Sequence, residues 1–310
     1  MSVTAPVEAP SRQRAALPAC PVCGTGDAGP WLAKGPYRLH RCPACGLGFV
    51  WPVPSAEDCA RVYDEAYLAG ASDYGYHDGE VRLEAQKRRQ VHDRRALLRA
   101  HGYAGQRALD LGCGDGWWLE GLRADHDLLV GVEPMEAVRA EATLRLARSG
   151  SLDHVRLVAG LDELGGDERF DLVTAFDVLE HLRDPAGTLA ALRGLCAPDA
   201  LLCVVLPVVE HWTARLVPER WDQCKPPEHL WYHSRASLAR LLADHGFAVV
   251  TTRSAWNRWP RPLPLVPEWL QRPFRVLMKL LARLSPRVAR GIADSILVLA
   301  RRLPDVQHPA

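Results

Sequence analysis

The sequence has no excess of either charge and no long apolar run. Its 38 Lys and Arg balance 37 Asp and Glu to a formal net charge of +1. A balance this even argues against a nucleic-acid footprint over the whole chain, although a local basic patch remains compatible with it. No apolar run reaches the ~18 residues that a transmembrane helix needs. The composition therefore disfavours a helical membrane protein and a broadly basic nucleic-acid binder.

The N-terminal stretch lacks the apolar centre of a signal peptide. Residues 1–18 are rich in Ala and Pro, which predicts a disordered leader. We therefore expect a cytoplasmic protein whose nine Cys are reduced or bound to metal, rather than paired in disulfides. Hydrophobic residues make up 48% of the chain and charged residues 24%, which is enough apolar material for a sizeable core.

Four of the cysteines form two similar pairs. Cys20 and Cys23 make a C-x2-C pattern, and after 18 residues Cys42 and Cys45 repeat it. This spacing is typical of structural zinc sites, in which four thiolates surround one ion and leave no open position. The same pairs would also suit a single iron, as in rubredoxins, so the metal stays open between the two. We predict a zinc ribbon over 19–52.

Beyond a helical connector predicted over 53–104, strand-like and helix-like patterns alternate. Strands are predicted at Ala108–Leu111, Leu128–Val132, Val155–Ala159, Leu172–Phe176, Leu201–Val209, Phe247–Thr251 and Asp294–Arg301. Helices are predicted at Ala56–Tyr67, Glu80–Ala100, Trp117–Arg123, Met135–Ala147, Pro185–Cys196 and Arg235–His245. Such alternation predicts an α/β fold with a parallel sheet covered on both faces, over 105–254 and 294–303. The last strand follows a long excursion, so we expect it to pair antiparallel.

A glycine-rich turn follows the first strand of this region. The segment Leu109–Gly116 ends a strand and opens a helix, where glycines let the backbone approach a ligand closely. Glu133 ends the next strand, where a carboxylate can accept hydrogen bonds from ribose hydroxyls. Trp117 stands where a dinucleotide-binding turn would have its third glycine, so the G-x-G-x-x-G pattern is absent.

These motifs, together with Asp171–Leu182, resemble the class I S-adenosylmethionine-dependent methyltransferases over roughly residues 80–254 and the last strand. The resemblance implies a seven-stranded Rossmann-like sheet with an antiparallel last strand. It also implies contacts with the methionine, ribose and adenine parts of S-adenosylmethionine, with Asp177 facing cofactor or substrate. The implied contact residues are Asp110, Gly112, Gly114, Glu133, Gly160, Leu161, Asp162 and Asp177.

The order of ribbon and catalytic domain is similar to that of bacterial methyltransferases that act on sugars and natural products. Among them, deoxysugar C-methyltransferases pair a Glu with a His after the fifth strand, followed closely by a Tyr. Glu228, His229 and Tyr232 stand at that place. The resemblance implies His229 as the base that deprotonates the acceptor, with Glu228 orienting it. The alternative is that both residues only shape the loop.

The segment 255–293 interrupts the fold before the last strand, and we predict a helical insert there. It holds eight basic residues and one acidic residue, a net charge of +7, together with several Pro and Trp. The candidate roles are contact with an anionic membrane surface or a lipid-linked substrate, recognition of a phosphorylated substrate, and a dimer face. The plainest alternative is a solvated helix with its Leu face on the core.

The sequence thus predicts a methyltransferase that acts on a small molecule, a sugar-like or natural-product intermediate, by C- or O-methylation. Structural Zn²⁺ and S-adenosylmethionine are the expected ligands, and we expect no nucleic-acid partner. Two alternatives stay open: an RNA methyltransferase with a zinc module, and a non-catalytic scaffold that only binds the cofactor. The pattern specifies neither the acceptor atom nor the oligomeric state.

Overall fold

The computed structural model describes residues 18–26, 28–62, 81–255 and 266–305. Strands in these ranges are β1 (Gly29–Lys34), β2 (Tyr37–Arg41), β3 (Gly48–Val50), β4 (Arg107–Leu111), β5 (Leu128–Val132), β6 (Val155–Val158), β7 (Phe170–Phe176), β8 (Cys196–Pro207), β9 (Trp231–Tyr232), β10 (Phe247–Ala255) and β11 (Ser295–Arg302). The α-helices are α1 (Ala56–Ala60), α2 (Val81–Ala100), α3 (Trp117–Leu122), α4 (Glu136–Arg148), α5 (Pro185–Leu195), α6 (Trp212–Leu216), α7 (Arg235–Asp244), α8 (Glu268–Leu284) and α9 (Pro286–Ile292).

The larger sheet has seven strands in the order β10-β11-β8-β7-β4-β5-β6. Strands β4 to β8 run parallel, whereas β11 is antiparallel to both β8 and β10. This arrangement confirms the predicted α/β fold with an antiparallel last strand. The carboxyl ends of β4, β5, β6 and β7 meet at one edge, where Leu111 is in register with Val132 and Val132 with Val158.

Helices cover both faces of this sheet, which is why its central strands are apolar on both sides. Residues 200–207 of β8 are all buried. Alternate residues of each strand enter different cores: Leu109 of β4 packs in the cluster that contains Leu189 of α5, and Ala108 in the cluster that contains Leu97 of α2.

Local sequence signals define the starts of the covering helices. Asp184 precedes α5, and its Oδ1 accepts a hydrogen bond from the backbone N–H of Gly187 at 2.8 Å. Pro185 takes the first helical position, where no backbone donor is needed. Ser234 caps α7 in the same way through the backbone N–H of Ser237. These caps orient α5 and α7 as they leave the sheet edge.

A second, four-stranded sheet has the order β1-β2-β3-β9 and is antiparallel throughout. Its first three strands belong to the predicted zinc ribbon. The fourth comes from far along the chain, where Trp231 and Tyr232 pair with Phe49 and Gly48. Strand β9 was not predictable from the sequence, because two residues are too few to show strand periodicity. The predicted division into domains stays a prediction.

Several boundaries differ from those predicted. Strand β8 begins at Cys196 rather than Leu201, because α5 ends at Leu195 and Cys196 already pairs with Phe170 of β7. The chain then bulges through Asp199, at a φ of +59°, before regular pairing resumes at Leu201. Strand β10 extends to Ala255. Part of the predicted helix Ala56–Tyr67 lies outside the described residues. None of the described helices combines the length and apolarity that crossing a bilayer requires.

Candidate functional site

The four cysteine sulfurs of the ribbon converge on one point. The Sγ atoms of Cys20 and Cys45 are 3.5 Å apart, those of Cys23 and Cys42 are 3.4 Å apart, and all four lie within 4.8 Å of one another. A tetrahedral ion with metal–sulfur bonds of about 2.3 Å needs sulfur–sulfur distances of about 3.8 Å. The donor set therefore fits one soft or borderline metal ion with no position left for substrate.

The two cysteine pairs are built alike. Gly24 donates its N–H to the carbonyl of Cys20 at 2.8 Å, and Gly46 donates to that of Cys42 at 3.0 Å. Both glycines have left-handed φ, at 73° and 76°, which lets each turn close beneath its sulfurs. The paired turns explain why a Gly follows each C-x2-C.

Strand β9 links the ribbon to the loop that carries the predicted base. Ser234 Oγ donates to the carbonyl of Cys45. Tyr232 is buried, and its hydroxyl donates to the carbonyl of His229 at 3.0 Å. Trp231 Nε1 donates to the carbonyl of Leu182 at 2.6 Å. The ribbon thus supports the 228–234 loop through backbone pairing and side-chain bonds.

The glycine-rich turn follows β4 at the sheet edge. Gly112, Gly114 and Gly116 all have left-handed φ. A Cβ on Gly112 would come within 2.5 Å of Val178 Cγ2, so a larger residue would push the turn away from the strand ends. Glycine at this position therefore keeps the turn next to the strand ends, where the sequence predicts that its backbone contacts the methionine part of the cofactor.

Glu133 lies directly against this turn. Its Oε2 accepts the backbone N–H of Gly114 at 3.2 Å, and its Oε1 accepts that of Met135 at 3.0 Å. Burial raises the pKa of Glu133, while these two donors act in the opposite direction. The carboxylate is thus held by backbone at the ends of β4 and β5, where it can receive hydroxyl donors from a ligand.

Asp110 sits deeper in the same edge. Thr174 Oγ1 donates to its Oδ1 at 2.5 Å. Burial raises the pKa of Asp110 to about 7, and both the Thr174 hydrogen bond and the positive charge of Arg94 act in the opposite direction. The carboxyl is therefore poised between its two protonation states near neutral pH.

The remaining predicted cofactor residues lie at neighbouring strand ends. Gly160 follows β6, and Leu161 and Asp162 form a short 3₁₀ turn with residue 163. Asp177 follows β7 with a φ of +56°, and its N–H donates to the carbonyl of Val205 at 2.7 Å. The structure therefore brings the predicted residues to the adjacent ends of β4, β5, β6 and β7.

Arg94 was missed by the sequence analysis. It points from α2 into the core, only 6% exposed, with its guanidinium 3.9 Å from the ring centroid of Phe176 and 5.2 Å from that of Trp117. Burial lowers its pKa, whereas the nearby Cys203, Asp177 and Asp110 act in the opposite direction. Its place three residues after Val91 and four before Leu98, on the apolar stripe of α2, was the available signal.

A second missed feature ties α2 to the glycine-rich turn. Asp115, buried in that turn, receives Lys87 Nζ at 2.7 Å and Arg145 Nη2 at 2.9 Å on its Oδ2. Arg145 of α4 also pairs with Glu84 and, at 3.0 Å, with Glu120. Partly buried networks of this kind fix geometry better than isolated surface pairs do. Ion pairs from α2 and α4 therefore hold the glycine-rich turn in position.

The predicted base lies in a cluster of titratable groups beyond β7. A carboxylate oxygen of Glu180 and one ring nitrogen each of His181 and His229 lie within 4.8 Å of one another. Glu180 is buried, and His181 Nε2 lies 3.9 Å from its Oε1. Glu228 Oε2 lies 3.6 Å from Lys225 Nζ. Glu180 is thus beside the predicted base, and the cluster is compact enough to share a proton or to hold a cation.

Comparison with known proteins places this geometry in a family. Residues 83–252, more than half of the chain, match the family model described as a methyltransferase domain. The chain belongs to the methyltransferase-domain family. The resemblance inferred from the glycine-rich turn, Glu133 and the 171–182 segment is therefore confirmed.

Individual relatives cover only part of their own length. A ubiquinone biosynthesis O-methyltransferase of Aromatoleum aromaticum is 37% identical over 100 residues, which are 31% of this chain and 42% of the relative. One of Rhodopseudomonas palustris is 26% identical over 169 residues, 50% of this chain and 66% of the relative. The chain thus spans between about two fifths and two thirds of the length of these two relatives.

A solved structure shares the fold. The magnesium protoporphyrin IX methyltransferase of Synechocystis PCC 6803 with bound S-adenosylmethionine superposes with a TM-score of 0.51 at 19% identity, covering 80% of this chain and 98% of that one. At this identity the likeness concerns the fold alone. It agrees with the seven-stranded sheet described above.

Proposed function

We propose that the protein transfers the methyl group of S-adenosylmethionine to a hydroxyl or carbon acid of a small-molecule acceptor. The observation that carries this proposal is the hydrogen bond from the Gly114 N–H to Glu133 Oε2. It holds a carboxylate that can bind ribose hydroxyls beside the glycine-rich turn at the sheet edge. The family match adds support, and the relatives named as O-methyltransferases favour a hydroxyl acceptor.

A separate group of residues is proposed for each part of S-adenosylmethionine. The half-buried backbone of Gly112 and Gly114 and the carboxyl of Asp110 suit its charged amino-acid portion, and Glu133 suits its ribose. The sulfonium supplies an already activated methyl group when the cofactor is bound. The protein's own tasks are to align the acceptor for in-line attack at about 3 Å and to take its proton.

His229 is the proposed base. Its imidazole can accept the acceptor's proton, and the Glu180 carboxyl, which has an oxygen within 4.8 Å of a ring nitrogen of His229, can orient the ring, with Glu228 as the second proposed orienting residue. The bond from Tyr232 to the carbonyl of His229 supports this loop from the ribbon side. A sugar-like or natural-product intermediate remains the proposed acceptor class, and contact with nucleic acid is not expected.

Calorimetric titration with S-adenosylmethionine and with S-adenosylhomocysteine tests the cofactor site. We expect micromolar binding of both, weakened at least about tenfold in Glu133→Ala, because two ribose hydrogen bonds to a carboxylate are lost. Glu136→Ala is the matched control, since this exposed glutamate lies only three residues away on α4. Absence of binding in the wild-type protein, or equal weakening in both variants, would contradict the proposal.

Formation of S-adenosylhomocysteine tests the acceptor class. Phenols and catechols, nucleotide-linked sugars and short RNA are supplied separately at equal concentration. We expect turnover with one of the small molecules and not with RNA. Turnover with RNA, accompanied by salt-dependent binding, would favour the nucleic-acid alternative. Cofactor binding without turnover on any acceptor would favour the scaffold alternative.

We also propose that the four ribbon cysteines hold one Zn²⁺ in a structural role. Zinc is favoured over iron because closed four-thiolate sites of this spacing commonly take it. Metal analysis of protein purified without chelator should give about one zinc per chain. A near-zero metal content, or iron with the visible absorption of a ferric–thiolate centre, would overturn the assignment.

A further inference from the structure

Helix α8 presents large apolar side chains to solvent along its length. Trp269, Val276, Leu277, Leu280 and Leu284 are between 49% and 81% exposed. Single exposed Leu or Trp residues are normal on a protein surface, but a contiguous patch marks a contact site. This exposed apolar sector therefore needs an explanation other than chance.

The sector is distinct from the side of α8 that packs on the protein. At 3.6 residues per turn, the five exposed side chains fall within an arc of about 100°. Phe274, Met278 and Leu281 fall on another arc and are half-buried. The ring of Phe274 lies 6.3 Å from that of Trp212 in α6. The helix thus has one apolar stripe that docks it and a second that no described residue covers.

Basic positions border the exposed sector. By the same helical periodicity, Arg272, Arg275, Lys279 and Arg283 occupy the arc beside it, whereas Glu268 at the first helical position is the single acidic residue of 255–293. An apolar face flanked by Lys and Arg is typical of helices that lie in the surface of anionic membranes. The positive charge matches headgroup phosphates, and the apolar arc matches the acyl boundary.

An open apolar groove continues the sector at the start of the helix. It has a volume of about 520 Å³ and is lined by Val266, Pro267, Leu270, Pro273, Phe274 and Leu277. Every lining residue is apolar, which suits contact with hydrocarbon rather than with a polar ligand. The groove extends the apolar surface from the helix to the residues before it.

We propose that α8 docks the protein on the surface of an anionic phospholipid bilayer. The exposed apolar sector enters the boundary between headgroups and acyl chains, and the basic sector faces the phosphates. A second copy of the chain fits this surface less well, because it would bring two segments of charge +7 together. The inference goes beyond the proposed methyl transfer and does not depend on it.

Co-sedimentation of the full-length chain with vesicles tests this surface. Vesicles of phosphatidylcholine alone are compared with vesicles containing 30% phosphatidylglycerol. We expect the wild-type protein to pellet with the anionic vesicles, and less as salt is raised. The double variant Leu277→Glu/Leu280→Glu should bind at least about tenfold more weakly, and Arg275→Gln/Lys279→Gln should lose the preference for anionic lipid.

Leu144→Glu is the matched control, because Leu144 is 55% exposed on α4, away from this sector. It should bind vesicles like the wild-type protein, and circular dichroism should show that all variants are folded. The proposal is overturned if the wild-type protein does not pellet, or if Leu277→Glu/Leu280→Glu pellets equally. It is also overturned if the wild-type protein is a dimer that binds no vesicles and Leu277→Glu/Leu280→Glu is monomeric, because the sector would then be a dimer interface.

Discussion

The ring of His181 stands edge-on to the ring of His229, with centroids 4.6 Å apart and ring planes at 87°. Two separate elements bring them together: the turn after β7 and the loop before β9. Burial, assisted by the charge of Lys225, lowers the pKa of His181 to about 4. His181 is therefore neutral at pH 7, and a proton taken up by His229 meets a neutral ring rather than a second cation.

This pair leads to a prediction about the base. His229→Gln should lower kcat/KM for the acceptor by about 10²–10⁴, the usual contribution of a general base. The affinity for S-adenosylhomocysteine should stay within about twofold, because His229 is not among the predicted cofactor contacts. Steady-state kinetics and calorimetry measure the two effects. His181→Gln is the matched control and should cost less, and equal activity of wild type and His229→Gln would exclude His229.

The burial of Asp110 predicts a specific pH dependence of stability. Burial raises its pKa in the folded state to about 7, above the ordinary Asp value of 3.8, so the folded protein holds this proton more tightly than the unfolded chain does. The contribution of Asp110 to stability is therefore fully present below about pH 4 and is lost as pH rises to about 7, by at most ~4 kcal/mol.

Denaturant unfolding of wild type and Asp110→Asn between pH 4.5 and 8 measures this effect. The difference in unfolding free energy between the two should shift in favour of Asp110→Asn as pH rises through this range, because Asn has no proton to lose. A difference independent of pH would show that Asp110 ionises normally. The comparison cancels the titration of the other groups, since both proteins share them.

Arg94 should be a stability determinant despite its charge. Arg94→Ala removes a buried cation that stacks on Phe176 and whose positive charge favours the ionised form of Asp110, so the Asp110 carboxylate loses a nearby opposite charge. We expect a loss of about 3 kcal/mol in unfolding free energy. Arg89→Ala on the same helix, where the side chain is 84% exposed, should change it by less than about 0.5 kcal/mol. Equal, small effects would show that Arg94 is not needed in the core.

Loss of the proposed ribbon zinc should make the loop of the predicted base more mobile. Cys45→Ser removes one ligand beside the carbonyl that receives Ser234, so we expect reduced zinc content and faster amide hydrogen exchange over 228–234. Cys59→Ser is the control, because Cys59 lies outside the sulfur cluster. Unchanged exchange in zinc-free Cys45→Ser would show that the loop is held independently of the metal.

The sequence predicted the features that depend on local patterns. The C-x2-C pairs, the turn after Leu111 and the alternation of strands and helices each have a periodicity or spacing that the backbone enforces. For the same reason, the seven-stranded sheet was predictable down to its antiparallel last strand. The neighbouring positions of Gly114 and Glu133 followed from parallel strands ending at one edge.

Features that depend on long-range packing were not predictable. Strand β9 exists because Phe49 and Gly48 offer it an open edge, not because Trp231 and Tyr232 have a strand pattern. Arg94 looked like one more charge on a highly charged helix, and its burial follows from the aromatic rings of Trp117 and Phe176. The burial of His126 likewise follows from packing, which brings its ring to the Tyr103 hydroxyl at 2.7 Å.

The bond from Ser234 to Cys45 spans 189 positions of the chain. At translation rates of about 5–20 residues per second, the ribbon leaves the ribosome roughly 10–40 s before the strand that completes its sheet. Its four thiolates can capture a metal ion during that interval, before any seven-stranded sheet exists. With zinc bound as proposed, the ribbon would be a folded template on which the 228–234 loop assembles, and zinc supply during synthesis would then limit the maturation of the loop that carries the predicted base.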